Sequence, residues 1–148
     1  MFTKPCKINQ YCRKRRNLIS TNKIKPEQWN ISNTEVKAAL KAQGYDVKQI
    51  KKIHRLKHQI CISYWDTKGN VCSSFFSYRI FTRWQREVKK LIYGCHTLKE
   101  WKKLNYLLNY EFAYYHYPSE MKNVLHTALE NRLSVLKLTA QQAVFQVI

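Results

Sequence analysis

The sequence predicts an α+β fold: a small antiparallel β-hairpin or three-stranded sheet packed with helices, followed by a C-terminal helical pair. Three observations carry that expectation. Within 58–93, two runs rich in β-branched and aromatic residues, 60–65 and 71–78, flank Asp66-Thr67-Lys68-Gly69-Asn70, which is a hairpin pattern. Directly after them, Trp84, Val88, Leu91 and Ile92 recur at helical spacing. Beyond Gly94, two further apolar-periodic segments are divided by Pro118, a residue that ends helices.

Charge sets the class of partner. The 148 residues hold 27 Lys plus Arg against 9 Asp plus Glu, a formal charge of +18. From Glu111 onward the bases Lys122, Arg132 and Lys137 balance Glu111, Glu120 and Glu130, so the whole excess lies in the first 110 residues. Such a field attracts polyanions, and each phosphate contact releases counterions. Nucleic acid is therefore the expected partner. A membrane surface is not, since no helix pairs a wide apolar face with a uniformly basic one. No apolar run is long enough to span a bilayer, and the basic start is not followed by the apolar core of a secretory signal. Five cysteines without a pairing pattern point to reduced thiols and an intracellular setting. Acid-free and arginine-bearing, residues 1–26 also suit an organellar transit peptide.

Taken in order, residues 1–26 read as a flexible basic arm carrying Arg13, Lys14, Arg15 and Arg16, able to lie along phosphates. Residues 27–95 form the basic nucleic-acid-binding unit. In it, Ser32 and Glu35 make a capping box, with Ile31 and Val36 as the hydrophobic staple. That predicts a helix over 33–43, stopped by Gly44. The stretch 46–57 admits two readings. Val47, Ile50 and Ile53 are three apart, which is helical, with Asp46 and Gln49 as its cap. A strand from Tyr45 to about Arg55 is the alternative, and gives a three-stranded sheet.

In the hairpin, a three-residue loop Thr67-Lys68-Gly69 puts Gly69 where positive φ is needed. Ile60, Ile62 and Tyr64 then share a face with Cys72, Phe76 and Tyr78, the expected core face. Cys61, Ser63, Trp65, Val71, Ser73 and Phe75 share the other, where Trp65 and Phe75 are candidates for base stacking. Thr82 and Gln85 fit a second capping box, and Arg83, Arg86 and Lys90 make a basic stripe on the helix that Gly94 ends as a left-handed cap.

Residues 96–148 read as a neutral helical module. Thr97 and Glu100 cap a long amphipathic helix whose early turns carry Lys99, Lys102 and Lys103 and whose end is rich in tyrosine. Ser119 caps the next, and the last residues, 143–148, suit a final helical turn or a short strand. Residues 97–138 would pack on the basic unit or offer a contact for a second copy or another protein.

Two layouts are similar to known families. Helix, glycine turn, basic helix and hairpin resembles a winged helix-turn-helix through the spacing from Gly44 to Ile50, although Gln43 stands where that family has an apolar residue. With a strand at 46–57, the layout resembles the three-strand-plus-helix DNA-binding domains of plant AP2 factors and integrase arm-binding modules, through Gly69, Phe76 and Trp84. Both resemblances imply that the basic residues of 48–57 and 79–90 face nucleic acid.

Other chemistry finds little support. Gly44, Gly69 and Gly94 all fall at element ends, leaving none for a phosphate-cradling loop. His54, His58, Cys61, Cys95 and His96 include no Cys-x-x-Cys pair, so no zinc site, other metal or cofactor is expected. Four Glu-x-Lys triplets all lie in predicted helices, where a nuclease would not use them. The expected function is that of a non-enzymatic DNA-binding protein, a regulator or mobile-element accessory factor. The alternative is an RNA-binding component of a ribonucleoprotein, and a weaker one a small nuclease or recombinase. Phosphate contacts are expected from Arg13, Lys14, Arg15, Arg16, Lys48, Lys51, Lys52, Arg55, Lys57, Lys68, Arg79, Arg83, Arg86 and Lys90.

Overall fold

The computed structural model describes residue 19 and residues 23–147. Arg13, Lys14, Arg15 and Arg16 lie outside the described residues. The chain divides into two compact units, one ending at Trp84 and one beginning at Gln85.

The first unit is a three-stranded antiparallel sheet in the order β1-β2-β3, preceded by one helix. A single 3-10 turn, Pro26–Gln28, leads into helix α1 (Asn33–Ala42). The Ser32 hydroxyl accepts the Glu35 N–H at 3.2 Å, so the serine half of the capping box forms. Ile31 and Val36, the staple pair, are both buried. At the other end Gly44 has φ +91°, and the Tyr45 N–H reaches back to the Leu40 carbonyl. That is the closing bond of a Schellman turn, and it needs the left-handed residue that glycine supplies. Val36 and Leu40 point inward with no exposed surface, each contributing about 1.5–3 kcal/mol relative to an exposed side chain.

Strands β1 (Gln49–Arg55), β2 (Ile60–Trp65) and β3 (Val71–Phe76) follow. The hairpin register is the expected one: Ile60 faces Phe76, Ile62 faces Ser74 and Tyr64 faces Cys72. Its loop closes between Asp66 and Asn70, and Gly69 has φ +84°. The Asp66 carboxylate accepts the N–H groups of Lys68 and Asn70, which satisfies the turn from within.

The helical reading of 46–57, and with it the winged-helix layout, is overturned: this segment is β1. A β-bulge explains the misleading period. Ile50 pairs with Tyr64 and Ile53 with Ile62, with the register shift falling between Ile50 and Lys52. One extra residue, Lys51, lets Ile50 and Ile53 turn to the same face although they are an odd number apart. Asp46 does not cap a helix; its carboxylate accepts the Thr67 hydroxyl at 2.6 Å and ties the start of β1 to the hairpin loop.

The core of this unit lies on one sheet face. Ile50, Ile60, Ile62, Tyr64 and Phe76 are buried there, with Tyr45 edge-on to Phe76. After β3 a 3-10 turn, Tyr78–Ile80, buries Tyr78 and Arg79. Trp29 meets Tyr78 and Trp84 edge to face at 5.7 and 6.5 Å, closing an aromatic cluster.

Helix α2 (Thr82–Tyr93) crosses the boundary between the units. It takes in Thr82 as a helical residue, so Thr82 stands inside the helix rather than capping it. Val88 and Ile92 are buried. Gly94 does not adopt the left-handed conformation expected of it. Its constraint is steric instead: a Cβ there would lie 3.0 Å from the Lys90 carbonyl oxygen.

In the second unit, helices α3 (Leu98–Tyr114) and α4 (Ser119–Val147) pack together. The Thr97 hydroxyl accepts the Glu100 N–H at 3.1 Å, and the Glu100 carboxylate takes the His96 N–H, a close variant of the capping box. The Trp101 indole N–H donates to the Leu129 carbonyl at 2.9 Å across the pair, and Leu108, Leu125, Ala128 and Leu129 are buried. The strand alternative is also overturned over 143–147, where α4 continues through Val147. Among the described residues no helix is long and apolar enough to cross a membrane.

Candidate nucleic-acid interface

The sheet has one buried face and one open one. Strand alternation assigns Lys52, opposite Ser63, and His54, opposite Cys61, to the open face. On β2 and β3 that face carries Cys61, Ser63, Trp65, Val71, Ser73 and Phe75. Phe75 is 42% exposed and Val71 46%, large values for apolar residues in a sheet. The Ser63 and Ser73 hydroxyls bond across the strands at 3.0 Å.

The bulge aims Lys51. Two residues at the bulge, Lys51 and Lys52, stand against Ser63 alone, and both are exposed. The Lys51 ammonium lies over the Trp65 ring, 5.6 Å from its centre, a cation–π contact worth about 0.5–1 kcal/mol at an exposed site. Lys51, Lys52 and His54 thus line up beside Trp65 and Phe75, and no carboxylate belongs to this face.

Three acids of the first unit are engaged locally: Asp46 holds Thr67, Asp66 holds its own turn and Glu35 holds Arg83. Lys48 is exposed at the start of β1, where its N–H bonds the Trp65 carbonyl, and Lys68 is exposed in the hairpin loop. These two lysines extend the cationic surface at the loop end of the sheet. Lys57 is exposed in the β1–β2 turn, at the opposite end.

The remaining predicted contacts are spent differently. Arg55 points to the core side and its guanidinium bonds the Trp29 carbonyl. Arg79 is only 7% exposed; its guanidinium stacks over the Trp84 ring at 4.5 Å and bonds the Ser77 hydroxyl. A buried, stacked guanidinium is a packing element and has no surface to offer a phosphate. Arg83 donates to Glu35 at 2.7 Å and to the Asn30 carbonyl at 3.0 Å. Arg86 is exposed, and Lys90 pairs with Glu87 at 3.1 Å; both lie in the second unit.

Sequence reasoning weighs His54 only as a metal ligand and leaves it out of the expected nucleic-acid contacts. The signal that finds it is the alternation Lys52-Ile53-His54, legible only once the strand is accepted. Among the described residues no group of three His, Cys, Asp or Glu side chains is placed to hold a metal ion, and Cys61 and Cys72 are free thiols. Comparison with protein-family models, curated proteins and solved structures gives no match to this chain.

Proposed function

We propose that this protein binds duplex DNA, without catalysing a reaction on it, through the open face of its three-stranded sheet. The observation that carries the reading is the row Lys51, Lys52 and His54 on β1, set beside Trp65 and Phe75 with no acid among them. Three strands at the usual spacing span about 10 Å of backbone, which suits a B-form major groove about 12 Å wide. Lys48 and Lys68 at the loop end would then hold phosphates and fix register, while the face itself meets base edges. The exposed Phe75 ring supplies an apolar contact of the kind thymine methyl groups accept.

The same two aromatics favour a second reading, an RNA-binding component of a ribonucleoprotein, because sheet aromatics also stack unpaired bases. Competition between a DNA duplex and an RNA duplex of the same sequence separates the two. The A-form major groove is too deep and narrow for side chains to read. The DNA duplex is expected to bind at least about tenfold more tightly; equal or tighter binding of the RNA duplex would reject the major-groove reading.

A further inference from the structure

The solvent side of α3 has a chemistry of its own. At a helical period, Lys99, Lys102, Lys103, Tyr106, Tyr110 and Tyr114 fall on one side of the helix. The opposite side carries Trp101, which bonds the Leu129 carbonyl, and the buried Leu108. Tyr106 is 66% exposed and Tyr110 36%. Their rings meet at 5.0 Å, and those of Tyr110 and Tyr114 lie nearly parallel, 6.0 Å apart and 11° inclined. The Tyr106 hydroxyl donates to that of Tyr110 at 3.2 Å, holding the first two rings in place. Lys99, Lys102 and Lys103 are all exposed. Neither acid of this helix is seen in an ion pair with them: the Glu100 carboxylate takes the His96 N–H, and Glu111 is buried against the Tyr117 hydroxyl.

We propose that this face of α3 is a second nucleic-acid site, specific for single strands, on which unpaired bases stack against Tyr106 and Tyr110 while Lys99, Lys102 and Lys103 hold the adjoining phosphates. Aromatic rings on a basic surface are what sequence-tolerant single-strand binding requires. The spacing favours unstacked bases over a duplex. Successive tyrosines rise about 6 Å along a helix, nearly twice the step of about 3.4 Å between stacked bases. A parallel two-fold contact with a second copy would set the same lysines against one another, while an antiparallel one would lay them on the tyrosines and would be seen as a dimer in sedimentation. The site is separate from the sheet-face reading and stands or falls without it.

The test is the affinity of the full chain for end-labelled oligothymidylate, measured by anisotropy over a range of salt. Tyr106→Ala with Tyr110→Ala is expected to weaken binding by about tenfold or more, the value of one stacked base. The matching pair of Tyr→Phe changes keeps the rings and should bind like the parent. Replacing Lys99, Lys102 and Lys103 with Gln should lower the salt dependence by about two units, at about 0.7 per single-strand phosphate. That variant decides the matter if circular dichroism shows the alanine pair unfolded. Unchanged affinity in a folded alanine pair overturns the proposal. So does sedimentation showing a dimer that the alanine pair converts to monomer. A loss of oligothymidylate binding in Lys51→Gln with Lys52→Gln that exceeds the loss in the alanine pair would move the single-strand site to the sheet and overturn the assignment to α3.

Discussion

The guanidinium of Arg79 lies 4.5 Å from the centre of the Trp84 ring, and both residues are buried in the first unit. A cation taken out of water is tolerated only where it is well partnered. Here the partners are an aromatic face and the Ser77 hydroxyl. Arg79→Gln is expected to lower stability by about 2 kcal/mol, from the lost stacking and the misfit polar group left behind. Chemical denaturation measures this. Duplex affinity of the protein that remains folded should not change, whereas a phosphate-contacting arginine would lower it.

The bulge at Lys51 makes a prediction about chain length. Deleting Lys51 leaves Ile50 and Ile53 separated by one outward residue, so plain alternation keeps both on the core face. The deletion variant should fold, with a lower melting temperature. Deleting Ile53 instead forces the residues on one side of the gap to the wrong face, and that variant should lose cooperative thermal unfolding. Calorimetry of the two deletions distinguishes a bulged strand from a regular one.

Burial acts on two tyrosines of the sheet unit. It is the main cause that pushes the Tyr64 and Tyr78 hydroxyls up from 10.0 to about 12, with Cys72 adding to the first and Glu27 to the second. The Tyr78 hydroxyl also donates to the Leu56 carbonyl at 2.5 Å. A pKa raised on folding means that the folded state holds the proton more tightly. The stabilisation is complete below about pH 10 and is lost as pH rises towards about 12. Stability should therefore fall over that window, followed by far-ultraviolet circular dichroism, and Tyr78→Phe should reduce the loss.

Gly69 sits at φ +84° with nothing within 4 Å of an added Cβ. The penalty for Gly69→Ala is thus conformational alone, and about 1 kcal/mol is expected. A denaturant titration should show the midpoint shift with an unchanged slope.

Much of the fold was legible because local signals agreed. Ser32 with Glu35, Gly44 and Thr97 with Glu100 mark helix ends through hydrogen bonds that short-range sequence can specify. The hairpin register followed from Gly69 and the turn it demands. Segment 46–57 was ambiguous because a bulge disguises a period of two as a period of three. The open sheet face was half legible. Trp65 and Phe75 were placed on it by the hairpin alone, while Lys51, Lys52 and His54 joined them only through β1. The surroundings of three arginines were not legible, because charge in a sequence does not say whether a guanidinium faces solvent, a carboxylate or a tryptophan. Arg55, Arg79 and Arg83 are each committed within the first unit.

The most direct measurement is the salt dependence of duplex DNA binding by the intact protein and by the variant carrying Lys48→Gln with Lys68→Gln, the two loop-end lysines assigned to phosphates. Each lysine that holds a phosphate contributes about 0.9 to the slope of log K against log salt. Open-face binding predicts a weaker complex and a slope lower by nearly two in the variant. An unchanged slope would contradict it.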